Sequence, residues 1–326
     1  MDNFNAALLD TLILLWRELG WPLVRLLVFI SLGLIVAGFI EALNWTRKMS
    51  VVATPLIRFG HLSDITGASF SMAFFSGVAA NTMLSEAYEA KKINKKELVL
   101  ANMFNSLPTY FLHLPTTFFI TVPLIQGAAV IYIGLTLGAA LLRTLGITVL
   151  SHFLLSGDRT TGQQQQRKVE KTGFRAAGQR TMIRFKKRIR KIVRFTVPIY
   201  ILFFCLSEAG MFGMLEEFMA DHLSFLVWLS PKAVSIIALQ VAAEFSAGLV
   251  AAGALLQDGS MSHPEVILTL LVGNVFSSPI RAVRHQFPYY AGIFKPRLAV
   301  QLILFSQTFR ALSIALTALF YFLIMD

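Results

Sequence analysis

Residues 101–113 read ANMFNSLPTYFLH and residues 273–285 read GNVFSSPIRAVRH. Asn102 and Asn274, Phe104 and Phe276, Ser106 and Ser278, and His113 and His285 therefore recur at matched places, 172 residues apart. Both segments interrupt long apolar runs, and each carries a proline, Pro108 or Pro279. Proline removes a backbone donor and breaks the i to i−4 ladder. In hydrocarbon the freed carbonyls and amides must find partners within the protein. Asn102, Asn105, Ser106, Asn274, Ser277 and Ser278 can supply them. The same oxygens and amides would suit a polar solute or a sodium ion. Two readings stand: a binding site, or repair of the break and attachment between helices.

Other residues add charge. Arg143 and Arg310 lie at equivalent places, well inside apolar runs. A charged side chain at the centre of a membrane helix costs about 3 kcal/mol on insertion scales. Either the two pair internally, with Glu244 and Glu208 as candidate partners, or they attract an anionic group. His113 and His285 lie 11 residues beyond their Asn, about 16 Å along an ideal helix. That spacing predicts a position near a membrane face, with a gating or inner-mouth role shared by Arg281 and Arg284. Histidine is the commonest metal ligand. No carboxylate or cysteine stands at ligand spacing from either one, so no metal site is assigned.

The elements that must position these residues follow from composition and repetition. The chain has 326 residues, 56% hydrophobic and only 14% charged, where a soluble chain carries about a quarter. Several runs reach the roughly 20 apolar residues needed to cross a bilayer. The single cysteine, Cys205, excludes an internal disulfide, and its apolar surroundings predict a core position. Of the 29 Lys and Arg, 13 fall in Arg159–Arg194. A basic block between apolar spans marks a cytoplasmic loop, here 158–192. Its stretch Thr181–Arg194 is amphipathic and suits anionic lipid rather than nucleic acid. Residues 1–21 read as an interfacial helix, because Phe4–Trp16 is too short to span.

The repeat extends beyond the Asn segments. Phe75-Ser76 matches Phe245-Ser246, and Leu142-Arg143-Thr144-Leu145-Gly146-Ile147 matches Phe309-Arg310-Ala311-Leu312-Ser313-Ile314, with offsets of 167 to 172. Two repeats result, 22–157 and 193–326. Each holds a long helix, a Gly/Ser-containing apolar segment, a helix broken by polar residues and Pro, and a final long helix. Leu62–Ala90 is flanked by basic residues on both sides, and Phe225–Gln257 by acidic ones. A single crossing would put like-charged flanks on opposite faces. A re-entrant hairpin resolves both cases, with tips near Ser76-Gly77 and Ser246-Ala247-Gly248, where small residues permit a turn. Spans at Pro22–Asn44, Glu97–Phe119, Val122–Ser151, Val193–Leu215, Glu265–His285 and Leu298–Ile324 then place 24 of the 29 Lys and Arg on the inner side, and the halves come out inverted. This is an all-α integral membrane protein with a transporter-like inverted-repeat fold, two re-entrant helical hairpins and two broken transmembrane helices, expected in the plasma (inner) membrane. Inversion brings the two Asn clusters together near the midplane.

That order of elements resembles the core of the concentrative nucleoside transporters. ANMFNS, GNVFSS and the closing FPYYAGIFKPRL are more similar still to the nucleoside-recognition, or Gate, family of membrane proteins. That family includes spore maturation proteins and the membrane part of ferrous-iron transporters. The resemblance covers about residues 22–324 and implies a homo-oligomer, dimer or trimer. The run of polar residues that a nucleoside transporter places in its first hairpin is absent, and Gln240–Glu244 matches it only faintly in the second. Nucleosides are therefore not carried over as substrate.

The expectation is a secondary transporter (alternating-access or elevator-like) for a small polar solute, more anionic than neutral. The substrate-binding residues expected are Ser76, Asn81, Asn102, Asn105, Ser106, Arg143, Glu244, Ser246, Asn274, Ser277, Ser278 and Arg310. No cofactor is expected. Sodium or protons would couple transport, with Glu244 and Glu86 as proton carriers. No ATP-binding motif and no HExxH or GxSxG constellation occurs, which argues against direct ATP drive and against an enzyme. The alternatives are a lipid-phosphate flippase, a metal-ion permease and a non-transporting membrane partner.

Overall fold

The computed structural model describes residues 2–21, 53–155, 174–210, 229–242 and 245–324, with single positions between them. Among the described residues there are helices and turns but no strand. Helix α1 (Asp2–Leu15) runs into a π-helical turn at Trp16–Gly20 and exposes Leu9, Leu12, Ile13 and Trp16. The expected span Pro22–Asn44 lies outside the described residues apart from isolated positions.

The first repeat continues with α2 (Thr54–Phe59), α3 (Asp64–Ala73) and α4 (Gly77–Glu89). Helices α3 and α4 form an antiparallel pair. At 10 and 13 residues, neither reaches the roughly 20 residues that a single crossing requires. Ser63 caps α3 by accepting from the Thr66 amide at 3.4 Å, and Ser76 caps α4 by accepting from the Ala79 amide at 3.1 Å. The turn therefore falls at 74–76, as the sequence indicated. Ala68, Ala73, Ala79 and Ala80 line the seam. Small side chains let the two backbones approach, which in lipid, where apolar transfer drives little association, is the main source of packing energy. The Ser69 hydroxyl donates across the pair to the Ala80 carbonyl at 3.4 Å.

Helices α5 (Lys95–Phe104) and α6 (Ser106–Ile125) are the first broken helix, interrupted at Asn105 alone. Pro108 leaves the preceding turn short of a donor. The Thr109 hydroxyl bonds the Asn105 carbonyl at 2.7 Å, and the Ser106 hydroxyl bonds the Met103 carbonyl. Helix α7 (Gly127–Leu154) follows a sharp turn at Gln126.

Helix α8 (Phe174–Glu208) is continuous over 35 residues, about 52 Å at ideal rise, so the 192/193 boundary falls inside it. Ala177 and Thr181 are buried, and Phe185 and Ile189 pack against α12 (Phe287–Phe294). The apolar stripe of the basic stretch therefore faces protein. Cys205 is exposed on this helix, not in the core as its apolar surroundings suggested. The stripe at steps of four from Ala177 is buried or half-buried as far as Val197, and on the same steps Ile201 and Cys205 are exposed.

The second helix pair is α9 (Pro231–Ala242) and α10 (Phe245–Gln257). Residues 243 and 244 lie outside the described residues, and the expected tip Ser246–Gly248 falls inside α10. Gly248 is instead inside α10, where a Cβ would meet Gln240 Cγ at 2.2 Å and the Ile236 carbonyl at 2.9 Å. Its missing side chain serves the seam of the pair and not its turn.

The second expected break also differs. Helix α11 (His263–Arg281) continues through Asn274, Ser277, Ser278 and Pro279, then widens into a π-helical segment at Ala282–Gln286 before α12. The distortion caused by Pro279 is absorbed one turn later by i→i+5 spacing, as π-bulges commonly do. Helix α13 (Pro296–Ile324) closes the chain. Three described helical spans are long and apolar enough to cross a membrane: Gly127–Leu154, His263–Phe294 and Pro296–Ile324.

Helices α7, α11 and α13 pack mutually at the centre. Some contacts also match between the two halves: α4 packs on α12 as α10 packs on α6, and α13 packs on α5 as α7 packs on α11.

Candidate functional site

Two polar networks lie within this bundle. The first joins the opening helix pair to the broken helix. Asn102 donates through Nδ2 to Asn81 Oδ1 at 2.9 Å and to the Tyr290 hydroxyl at 3.2 Å. Asn105 donates to Ser69 Oγ at 2.7 Å. Asn81, Asn102 and Asn105 are all buried, and Asn102 Oδ1 and Asn105 Oδ1 have no hydrogen-bond partner. At the base of the pair, Glu97 is fully buried and accepts from the Ser63 amide at 2.9 Å and the Thr66 hydroxyl at 3.3 Å. This places a carboxylate at the positive N-terminal end of α3.

The second network is cationic and sits where α7, α11 and α13 meet. Arg143 on α7 donates through Nη1 to Ser313 Oγ at 2.8 Å, and Ser313 in turn donates to the Arg310 carbonyl at 2.9 Å. Arg281 donates through Nη2 to Asn274 Oδ1 at 3.1 Å and to Ser277 Oγ at 3.4 Å. Arg310 on α13 lies within electrostatic reach of Arg143, Arg281, His113 and the buried Tyr132. The Tyr132 ring stacks on Phe245 with centroids 6.0 Å apart, so the start of α10 lies beside the arginines. Among the described residues, no carboxylate forms an ion pair with Arg143 or Arg310. Glu208, one expected partner, is exposed on α8, and the other, Glu244, lies outside the described residues.

The remaining sequence candidates are distributed as follows. Ser76 acts as a helix cap, and Ser106 bonds its own turn. Ser246 is exposed in the first turn of α10. Ser278 donates to Gln307 at 2.9 Å, and Gln307 donates onward to Gln286 at 3.3 Å. Arg284 and His285 lie in the π-helical segment, where Arg284 is half-buried and His285 exposed. The two Asn segments have thus diverged: Asn102 serves a helix–helix network, whereas Asn274 orients an arginine. The sequence reading missed Ser69, Tyr290, Tyr132, Gln307 and Ser313. Only Ser313 had a legible signal, since it stands three residues after Arg310 where the first repeat has Gly146. Gln240, taken only as a faint motif, is fully buried with neither amide atom bonded, against Gly273 and Gly248.

The fold and these networks define an all-α membrane protein with a polar, cationic interior. No family model matches the chain, and no solved structure matches it. Three proteins of Methanocaldococcus jannaschii, each described as uncharacterised, are similar to it over most of their length. One is 27% identical over 283 residues, covering 86% of this chain and 87% of the relative. A second is 23% identical over 286 residues, covering 83% and 88%, and a third 25% over 315 residues, covering 96% of both.

Proposed function

We propose that this protein is a secondary transporter for a small anionic solute, bound between α7, α11 and α13. The convergence of Arg143 and Arg310 inside an apolar bundle, with Arg143 held by the Ser313 hydroxyl and no described carboxylate paired with either, carries this reading. A guanidinium at the centre of a membrane helix costs about 3 kcal/mol on insertion scales, and a returning anion offsets that cost. The paired exchange of contacts between α4–α12 and α10–α6, and between α13–α5 and α7–α11, is what two inverted repeats related by a pseudo-two-fold axis require. It supports the Gate-type architecture and a site at the repeat interface. The two short helix pairs act as re-entrant gates, and the basic segment 158–192, which enters α8 at Phe174, lies on the cytoplasmic side of the plasma (inner) membrane. Sodium or protons couple transport, and the chain acts as a homo-oligomer.

A second reading, a lipid-phosphate flippase, is favoured by one observation. Arg143 is half-buried, and its neighbours Leu142, Leu145 and Gly146 face outward, so the site opens toward lipid.

Uptake of anions into proteoliposomes tests the proposal. Arg143→Gln and Arg310→Gln are expected to abolish uptake while leaving the unfolding midpoint near that of the parent. If both variants only unfold, and Glu244→Gln unfolds equally, the arginines pair internally and the site is refuted. Uptake that persists after both ion gradients collapse refutes the coupling.

A further inference from the structure

We infer that the anion bound at Arg143 and Arg310 is a phosphate monoester in its dianionic form. The inference rests on the anion-carrier reading above and names the chemistry of that site.

Charge comes first. Arg143 is oriented by Ser313 and not by a carboxylate, and Arg310 has no side-chain hydrogen bond with a described residue. The two guanidiniums repel each other within an apolar bundle. With no described carboxylate paired with either, a dianion offsets this repulsion better than a monoanion does.

Shape comes second. Arg143 uses one donor on Ser313, leaving most of its five N–H groups for a ligand. The two guanidiniums arrive from different helices, α7 and α13, so their planes need not coincide. A carboxylate has two oxygens in one plane and is saturated by one bidentate fork. The terminal phosphate of a monoester presents three oxygens on a tetrahedral centre and can accept two forks in different planes. Arg281 and the buried Tyr132, both within electrostatic reach of Arg310, add positive potential and a hydroxyl.

Two sources supply this chemistry, a soluble phosphate ester and the headgroup of a lipid phosphate monoester. The full chain in nanodiscs separates them. Binding of phenyl phosphate is measured by calorimetry, and binding of phosphatidic acid by phosphorus resonance shift in discs that contain it. Succinate and phosphatidylglycerol serve as the dicarboxylate and monoanionic comparisons.

At pH 8 the monoester is expected to bind at least tenfold tighter than either comparison. Its affinity should fall as the pH drops through about 6, where the second phosphate proton returns. Arg143→Gln and Arg310→Gln should each weaken binding at least tenfold, and Arg310→Lys nearly as much, since lysine keeps the charge but loses the fork. Binding of phenyl phosphate alone identifies a soluble substrate, and binding of phosphatidic acid alone a lipid headgroup; either supports the inference. Tighter binding of succinate, an affinity flat between pH 5 and 8, or an Arg310→Lys variant that binds as the parent does would overturn the phosphate assignment while leaving an anion carrier standing. No binding by any anion would remove both.

Discussion

The same substitution, glycine to alanine, should move stability in opposite directions at two positions of this bundle. A Cβ on Gly253 of α10 would lie 2.7 Å from the Leu124 carbonyl oxygen of α6 and 3.2 Å from its carbonyl carbon. The obstacle is backbone, so no rotamer change relieves it. The α6–α10 contact would have to open by roughly half an ångström, and overpacking of this kind costs about 1–3 kcal/mol. A Cβ on Gly134 of α7 meets nothing within 4 Å. There, alanine removes only the excess backbone freedom of glycine, which should stabilise the helix by about 0.5–1 kcal/mol. The assay is unfolding of the purified protein in mixed detergent–SDS micelles, followed by far-ultraviolet circular dichroism. Gly253→Ala is expected to lower the midpoint and Gly134→Ala to raise it slightly. An unchanged midpoint for Gly253→Ala would refute the close approach of α10 to α6. A loss of stability at Gly134 would show that the open face of α7 is covered by another copy of the chain.

Further expectations can be measured with simple variants. Glu97→Ala removes the acceptor for the Ser63 amide and the Thr66 hydroxyl and should destabilise by about 2–3 kcal/mol, since buried donors are left unpaired; a midpoint within error of the parent would contradict this. In a double-mutant cycle, Asn81→Ala and Asn102→Ala should couple by about 1 kcal/mol, the usual net worth of one hydrogen bond; strict additivity would mean that the 2.9 Å contact contributes nothing. Cys205, exposed on α8, should react with a lipid-partitioning maleimide in intact vesicles, and complete resistance would place it inside the bundle. Cysteines introduced at Lys95 and Gln163 should label from one side of the membrane, whereas labelling from opposite sides would end the hairpin topology and the inversion of the repeats.

Much of the architecture was legible because membrane insertion constrains sequence strongly. Run length, charge and helix-breaking residues each have few tolerated arrangements in a bilayer. The short helix pair at 64–89 could be inferred because both its flanks are basic, and its turn at Ser76 because serine both caps and permits a bend. The same reasoning set the second tip at Ser246–Gly248, which lies inside α10. Gly248 looked like a turn residue, but it is glycine because Gln240 and the Ile236 carbonyl lie against it, a contact between residues on different helices. The break at Asn105 was readable from Asn, Ser and Pro together. At the matched Pro279 the helix instead continues and widens into π spacing.

The sequence by itself determined that the chain is a helical membrane protein and that Arg143 and Arg310, inside apolar runs, are costly. These are properties of single residues and their spacing in a medium without water. Tertiary structure decided which partners the polar residues meet: Ser313 for Arg143, and Tyr290 and Asn81 for Asn102. Of these partners, Ser313 and Tyr290 stand 170 and 188 residues away in the chain, and Asn81, only 21 residues away, is on another helix. A hydrogen bond depends on an approach of about 3 Å, and only the packing of α7 on α13, and of α5 on α4 and α12, sets that distance for these pairs.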